Sequence, residues 1–232
     1  MNRITLNLLA SSALILSPFA AFAADAVVPT FELANFASPV TNDYFPMVPG
    51  TVSTLTGTIK ADGGEAPFTL VRTIEGPGPV LLGVQTTAIR DDETVGGLLM
   101  ERSVDYYATD NQGAVWYFGE DVTAYDYDDA GKLVAEKQAP SWTAGVDGAA
   151  PGIVIEAEPV LGKALFRANA PAAKETEYSV VEALGDLVLV YTESTADPDL
   201  RERSSYARGV GLVATEEDLS PAKDNPAISA KL

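Results

Sequence analysis

From Leu98 to Tyr125 the chain reads LLMERSVDYYATDNQGAVWYFGEDVTAY, two extended runs joined by Asp110-Asn111-Gln112-Gly113. Aromatic and β-branched residues dominate both runs, and the joining tetrad is polar and ends in glycine. That combination predicts a hairpin of two strands, over Leu98–Thr109 and Ala114–Tyr125. The same pattern extends in both directions. Toward the N-terminus, Thr51 to Lys60 reads as a strand that ends at Ala61-Asp62-Gly63-Gly64, and Phe68 to Ile74 alternates cleanly. Gly76-Pro77-Gly78-Pro79 then predicts a break before Val80–Arg90. Toward the C-terminus, Asp128-Asp129-Ala130-Gly131 turns the chain into Lys132–Lys137. Further strands are expected at Ala164–Ala168, Glu175–Leu184, Leu187–Ser194, Arg201–Ala207 and Gly211–Thr215. Strands joined in order by short turns make an antiparallel meander, which must curl or close to bury its apolar face. The expected fold is all-β and mainly antiparallel: a single strongly curved sheet or half-barrel with a small helical or loop lid.

Composition narrows the chemistry. The 232 residues contain 33 acidic and 15 basic side chains, no histidine and no cysteine, for a formal net charge of −18. Disulfides, thiol nucleophiles, Ser-His-Asp triads and zinc sites of the usual kind are excluded, and any metal would be a hard cation held by oxygen. The charge argues against nucleic acid and against adsorption to anionic lipid.

Residues 1–23 read as an export signal. Arg3 supplies the positive end, Leu6 to Leu16 the apolar core, and Ala21-Phe22-Ala23 the small-x-small cleavage site. A membrane anchor is the competing reading, but Asn7, Ser11, Ser12, Ser17 and Pro18 weaken a spanning helix and the signal is followed by no cysteine that could carry a lipid. The expectation is a protein of the periplasm or the medium, without stable membrane insertion, with one β-rich domain over 24–219 and a loose tail over 220–232.

Four blocks depart from generic β sequence: Asn42 to Thr51 (NDYFPMVPGT), Asp105 to Asp121 (DYYATDNQGAVWYFGED), Ser141 to Ile153 (SWTAGVDGAAPGI) and Tyr206 to Val213 (YARGVGLV). Together they resemble a family of small exported bacterial proteins and lipoproteins that carry YFPxxPGT, DYYAxDxxGxVWYFGED, SWxAGVDGAxPGI and GVGLV in that order. The resemblance spans nearly the whole chain after the signal. It implies export and a single β-rich domain and supplies no catalytic residues; the missing lipid-bearing cysteine departs from the anchored members. The last block also resembles, at the level of fold alone, the end of periplasmic half-barrels that carry lipid or lipoprotein cargo.

The aromatic block offers the first candidate site. Alternation puts Trp116 and Phe118 on one face of their strand and Val115 and Tyr117 on the other, and Tyr106 and Tyr107 on opposite faces of theirs. Tyr107, Trp116, Phe118 and Trp142 are the candidate ligand-contacting rings, and hydrophobic core is the competing reading. Residues 31–48 and 141–153 are candidate lids, the second because its glycines permit a tightly folded loop. Acidic turns offer the second candidate, an irregular oxygen site for calcium from Glu120, Asp121, Asp126, Asp128 and Asp147; solvated turn chemistry is the competing reading. An EF-hand is excluded, because Ala130 and Lys137 occupy ligand positions. The leading expectation is a non-enzymatic binding or carrier module for a small apolar or amphiphilic ligand. The alternatives are an acidic cation-binding or structural protein, and a hydrolase using a carboxyl pair such as Glu120 and Asp147.

Overall fold

The computed structural model describes residues 26–61, 64–197 and 200–232. The export signal read at residues 1–23 lies outside them. Four long strands come first: β1 (Val52–Ala61), β2 (Gly64–Leu81), β3 (Val84–Val95) and β4 (Leu98–Thr109). The hairpin predicted at Leu98–Tyr125 is formed by β4 and β5 (Val115–Tyr127), and three shorter strands follow, β6 (Leu133–Gln138), β7 (Trp142–Thr143) and β8 (Ala150–Ile155). A second run completes the chain: β9 (Ala164–Ala170), β10 (Glu175–Leu184), β11 (Leu187–Ser194), β12 (Arg201–Ala207), β13 (Gly211–Glu217) and β14 (Ile228–Lys231).

All fourteen strands belong to one antiparallel sheet that curves into a ring. Consecutive strands pair from β1 to β5; β5 then pairs β8, β8 pairs β9, and consecutive pairing resumes to β14. β14 returns to β1 through Thr56–Ile59. β6 and β7 hang from β5 outside this path. The seam at β8 is thin, with three paired positions to β5 and two to β9.

Three expectations are corrected. Gly76-Pro77-Gly78-Pro79 does not end a strand: β2 runs through it with two register shifts, so the unpaired positions are absorbed as bulges, and the turn comes at Leu82-Gly83. Residues 150–153 are strand instead of loop, although Pro151-Gly152 masks it. A Cβ on Gly152 would lie 2.3 Å from the Phe166 carbonyl oxygen, so only glycine lets β8 come this close to β9. The tail is not loose, because β14 sits between β1 and β13 with Ile228 and Ala230 buried and Ser229 and Lys231 exposed. Four residues of alternation are too short a signal to stand out from an Ala-, Pro- and Lys-rich background.

The N-terminal arm is fastened over the β4–β5 turn. Asn111 donates its backbone N–H to the Asn35 carbonyl (2.7 Å) and its side-chain amide to Ala34 (3.1 Å), and accepts from Ser38 N–H (2.6 Å). Asn42, 2% exposed, accepts from the backbone N–H of Tyr44 and Phe45 and donates to the Gly113 carbonyl. Fixed in this way, the arm carries a short 3-10 helix (Leu33–Phe36) against the sheet and sets Phe45 between Tyr107 and Tyr206, at 5.0 and 5.9 Å between ring centroids.

Candidate functional site

The four candidate rings are all buried, but they do not share a face. Trp116 and Phe118 point away from Tyr117 and are covered by Phe31 and Phe36 of the arm, with centroid separations of 5.6 to 6.3 Å. The indole N–H of Trp116 donates to Asp110 at 3.0 Å, which satisfies its one polar atom. On the opposite face Tyr107 stacks on Tyr117 at 5.0 Å, and Trp142 meets Tyr117 edge-on at 5.1 Å. β5 therefore divides the set into a sealed pair beneath the arm and a pair grouped around Tyr117.

A bulge determines what joins Tyr117. Tyr106 pairs Gly119 while Tyr107 pairs Tyr117, so one residue of β5 is extra and the alternation resets. Glu120, three residues after Tyr117, thereby comes to the same side, directly opposite Asp105. Gly119 is required here: its φ is +136°, and an added Cβ would lie 2.3 Å from the Trp142 carbonyl oxygen. Its bareness lets β7 pair closely with β5 and places Trp142 beside Glu120.

Polar side chains occupy the middle of the ring. Arg72 of β2 grips Asp91 of β3 with bonds of 2.9, 3.2 and 2.5 Å. Arg167 of β9 pairs Glu177 at 3.1 Å and reaches Glu202 of β12 at 3.7 Å, its guanidinium 5.3 Å from the Tyr117 ring centroid. Asp105 accepts from the hydroxyls of Tyr117 (3.1 Å) and Tyr107 (3.3 Å). Glu93 of β3 is repelled by Glu202 of β12, and Glu217 of β13 by Glu93, although neither pair sits on neighbouring strands.

Burial among so many carboxyls disfavours ionisation. Burial first, and Glu101 and Asp91 next, push Glu93 up to about 8. Asp105 rises to about 7 through burial and the charge of Asp91, against the pull of Arg72, Arg167 and the Tyr117 hydroxyl. Burial raises Glu177 to about 7 despite Arg167. Glu120 rises furthest of these, to about 9, because burial is reinforced by Asp105, Glu175 and Glu177. Glu101, Glu202 and Glu217 are raised for the same leading reason.

Glu120 stands where this polar belt meets a cleft of about 380 Å³. The cleft is lined by Tyr106, Glu120 and Asp121, by Ser141 to Thr143, and by Val146, Asp147 and Ala149, with Ala170, Ala172 and Ala173 on the far wall. Except for those three alanines, every lining residue comes from two of the four distinctive sequence blocks. Trp142 is 5% exposed, and its indole Nε1 is buried with no acceptor. An unsatisfied donor of this kind costs about 1–3 kcal/mol. A second, smaller cavity, about 140 Å³, lies under Phe45, Pro46 and Val48 of the arm and the Gly209–Leu212 hairpin.

The acidic candidates separate as well. Glu120, Asp121 and Asp147 line the cleft, and Asp121 accepts from the Gln138 amide at 2.6 Å. Asp126 pairs with Lys137, and Asp128 accepts from the backbone N–H of Ala130 and Lys132, closing its own turn. Among the described residues no group of three or more carboxyls is placed to hold a metal ion. Residues that sequence reading missed are Asp105, Tyr117 and Arg167; the pattern gave no sign that β9 would meet the β4–β5 hairpin.

No protein-family model, no curated protein and no solved structure matches the chain. Among the described residues no helix is long and apolar enough to cross a membrane.

Proposed function

We propose that the protein is a binding module that takes a small amphiphilic molecule into the cleft beside β5 and β7. One observation carries this reading: a cavity of ligand size combines an apolar wall, from Trp142, Val146, Ala149, Ala170 and Ala173, with converging polar groups, from Glu120, Asp121, Ser141 and Asp147. Of the four rings expected to contact a ligand, Trp142 lines this cleft, and Tyr107 supports it through Tyr117. Trp116 and Phe118 act beneath the arm as structural packing. The 141–149 loop forms one wall, so movement of this loop is the route for entry. If residues 1–23 direct export, the module works in the periplasm or outside the cell.

The test is calorimetry with a panel of amphiphiles on the wild type and on Ala173→Trp, whose added ring fills the cleft. Binding by the wild type and its loss in the variant support the reading. Equal binding by both overturns it.

A carboxyl-dependent hydrolase is a second reading with one observation in its favour: Glu120 and Asp147 line the same cleft, and Glu120 holds its proton at neutral pH as a general acid must. Turnover of nitrophenyl glycosides or esters that disappears in Glu120→Gln would support it over simple binding.

A further inference from the structure

We infer that the cleft selects an organic cation: an ammonium or quaternary nitrogen carried on an apolar body. The inference rests on the binding reading and adds the charge of the ligand. Three carboxyl side chains, Glu120, Asp121 and Asp147, line the cleft, and among the described residues the lining contains no lysine or arginine. The nearby guanidinium of Arg167 is committed to Glu177 and Glu202. An anion entering here would meet the acidic lining without a compensating positive charge, whereas a cation would be drawn to it. The walls reinforce that choice. Two aromatic residues, Tyr106 and Trp142, line the cleft, and aromatic rings beside carboxyls are the chemistry that holds substituted ammonium groups. The alanines at 149, 170, 172 and 173 leave room for an alkyl or aryl body. Independently of the acids, Trp142, which lines the cleft, keeps its indole N–H buried with no acceptor among the described residues, a polar donor the fold itself leaves unmet in this wall.

The state of Glu120 gives binding a signature. The groups that act on it are Asp105 of β4, Tyr117 of its own strand, and Glu175 and Glu177 of β10, the last held by Arg167 of β9; Asp121, Asp147 and Tyr106 share the cleft. Burial first, and then the repulsion of Asp105, Glu175 and Glu177, keep it protonated at neutral pH against the opposing hydrogen bond of Tyr117. A cation settling beside it favours the ionised form, so a proton leaves as the ligand enters and affinity rises as pH climbs toward 9.

Three ligands with one tail separate the possibilities: decyltrimethylammonium, decanol and decanoate, each titrated below its micelle concentration in buffers of differing ionisation heat. The expected result is that the cation binds about tenfold or more tighter than the alcohol. Decanoate does not bind. Cation binding releases a proton at pH 7, tightens from pH 6 to pH 9, and is weakened at least several-fold in both Asp147→Asn and Glu120→Gln. If decanol binds as tightly as the cation, or if neither substitution weakens the cation, the inference is overturned while the binding reading stands. If none of the three binds, both fall.

Discussion

Neighbouring residues of β5 serve two regions built on opposite principles. Trp116 and Phe118 lie in an apolar seam closed by Phe31 and Phe36, with the only polar atom of the rings bonded to Asp110. Tyr117 and Glu120 look onto carboxyls that outnumber the arginines beside them and are held partly protonated by burial. The first region stabilises; the second stores unfavourable charge that a ligand or a proton can relieve. Such an imbalance is costly to maintain and must be offset by packing elsewhere in the fold.

The largest effect should come from the sealed side. Phe118 is fully buried and its ring meets two others, so Phe118→Ala should cost about 3–5 kcal/mol through lost transfer energy and a cavity. The thermal midpoint should drop by roughly 6–20 °C, at about 2–4 °C per kcal/mol for a chain this size. Ligand affinity of the folded fraction should stay as it was, since no atom of the cleft is touched. A melt that barely moves, or a loss of binding without loss of stability, would break the division between the two faces.

On the other side the predicted effect is a reversal of the usual pH dependence. A carboxyl whose folded pKa is raised binds its proton more firmly folded than unfolded. Below the unfolded value, 4.5 for the glutamates and 3.8 for Asp105, the two states are equally protonated. Between that value and the folded one the unfolded chain ionises freely while the folded chain does not, and stability is lost as pH rises. For Glu93, Asp105, Glu177 and Glu120 the windows end at about 8, 7, 7 and 9. The protein should therefore melt higher at pH 5.5 than at pH 8.5. Glu120→Gln, which fixes that site in a neutral form, should stabilise the protein by about 2 kcal/mol at pH 8 and by almost nothing at pH 5. A stability curve that rises from pH 5 to pH 8 would show that the interior carboxyls ionise freely.

Much of the sealed side was legible in the sequence, and little of the other. The hairpin at Leu98–Tyr125 announced itself by its composition and its polar turn, and strict alternation correctly grouped Trp116 with Phe118. Alternation then failed at one residue. The bulge at Gly119 shifts Glu120 to the face of Tyr117, and a glycine in a strand signals such a shift without stating its sense. The ring itself depends on β8 and β14, whose Pro151-Gly152 and four-residue alternation carry too weak a pattern to be read locally. Contacts such as Arg167 with Glu202 join strands three positions apart in the ring, so the polar belt became visible only when the ring closed. By contrast, the two blocks that line the cleft were singled out because they did not read as ordinary strand, and that proved the better guide to a cavity than the rings themselves.

The smallest effect sharpens the comparison most, because it changes a single atom one position from Phe118. Tyr117→Phe keeps the ring that stacks on Tyr107 and meets Trp142, and removes the hydroxyl that donates to Asp105 at 3.1 Å. Asp105 keeps the longer bond from Tyr107, so the loss should be about 1 kcal/mol at neutral pH, the ordinary worth of one hydrogen bond. Its sign with pH is the informative part. The hydroxyl favours the ionised carboxyl, holding Asp105 lower than burial alone would set it. Without it the folded pKa climbs above about 7, and the window in which stability is lost extends upward. The variant should match the wild type near pH 4, where folded Asp105 is protonated in both proteins, and fall progressively behind as pH rises through 7. A uniform deficit at every pH would mean that the hydroxyl only fills space, and Tyr117 would then belong with Phe118 as packing.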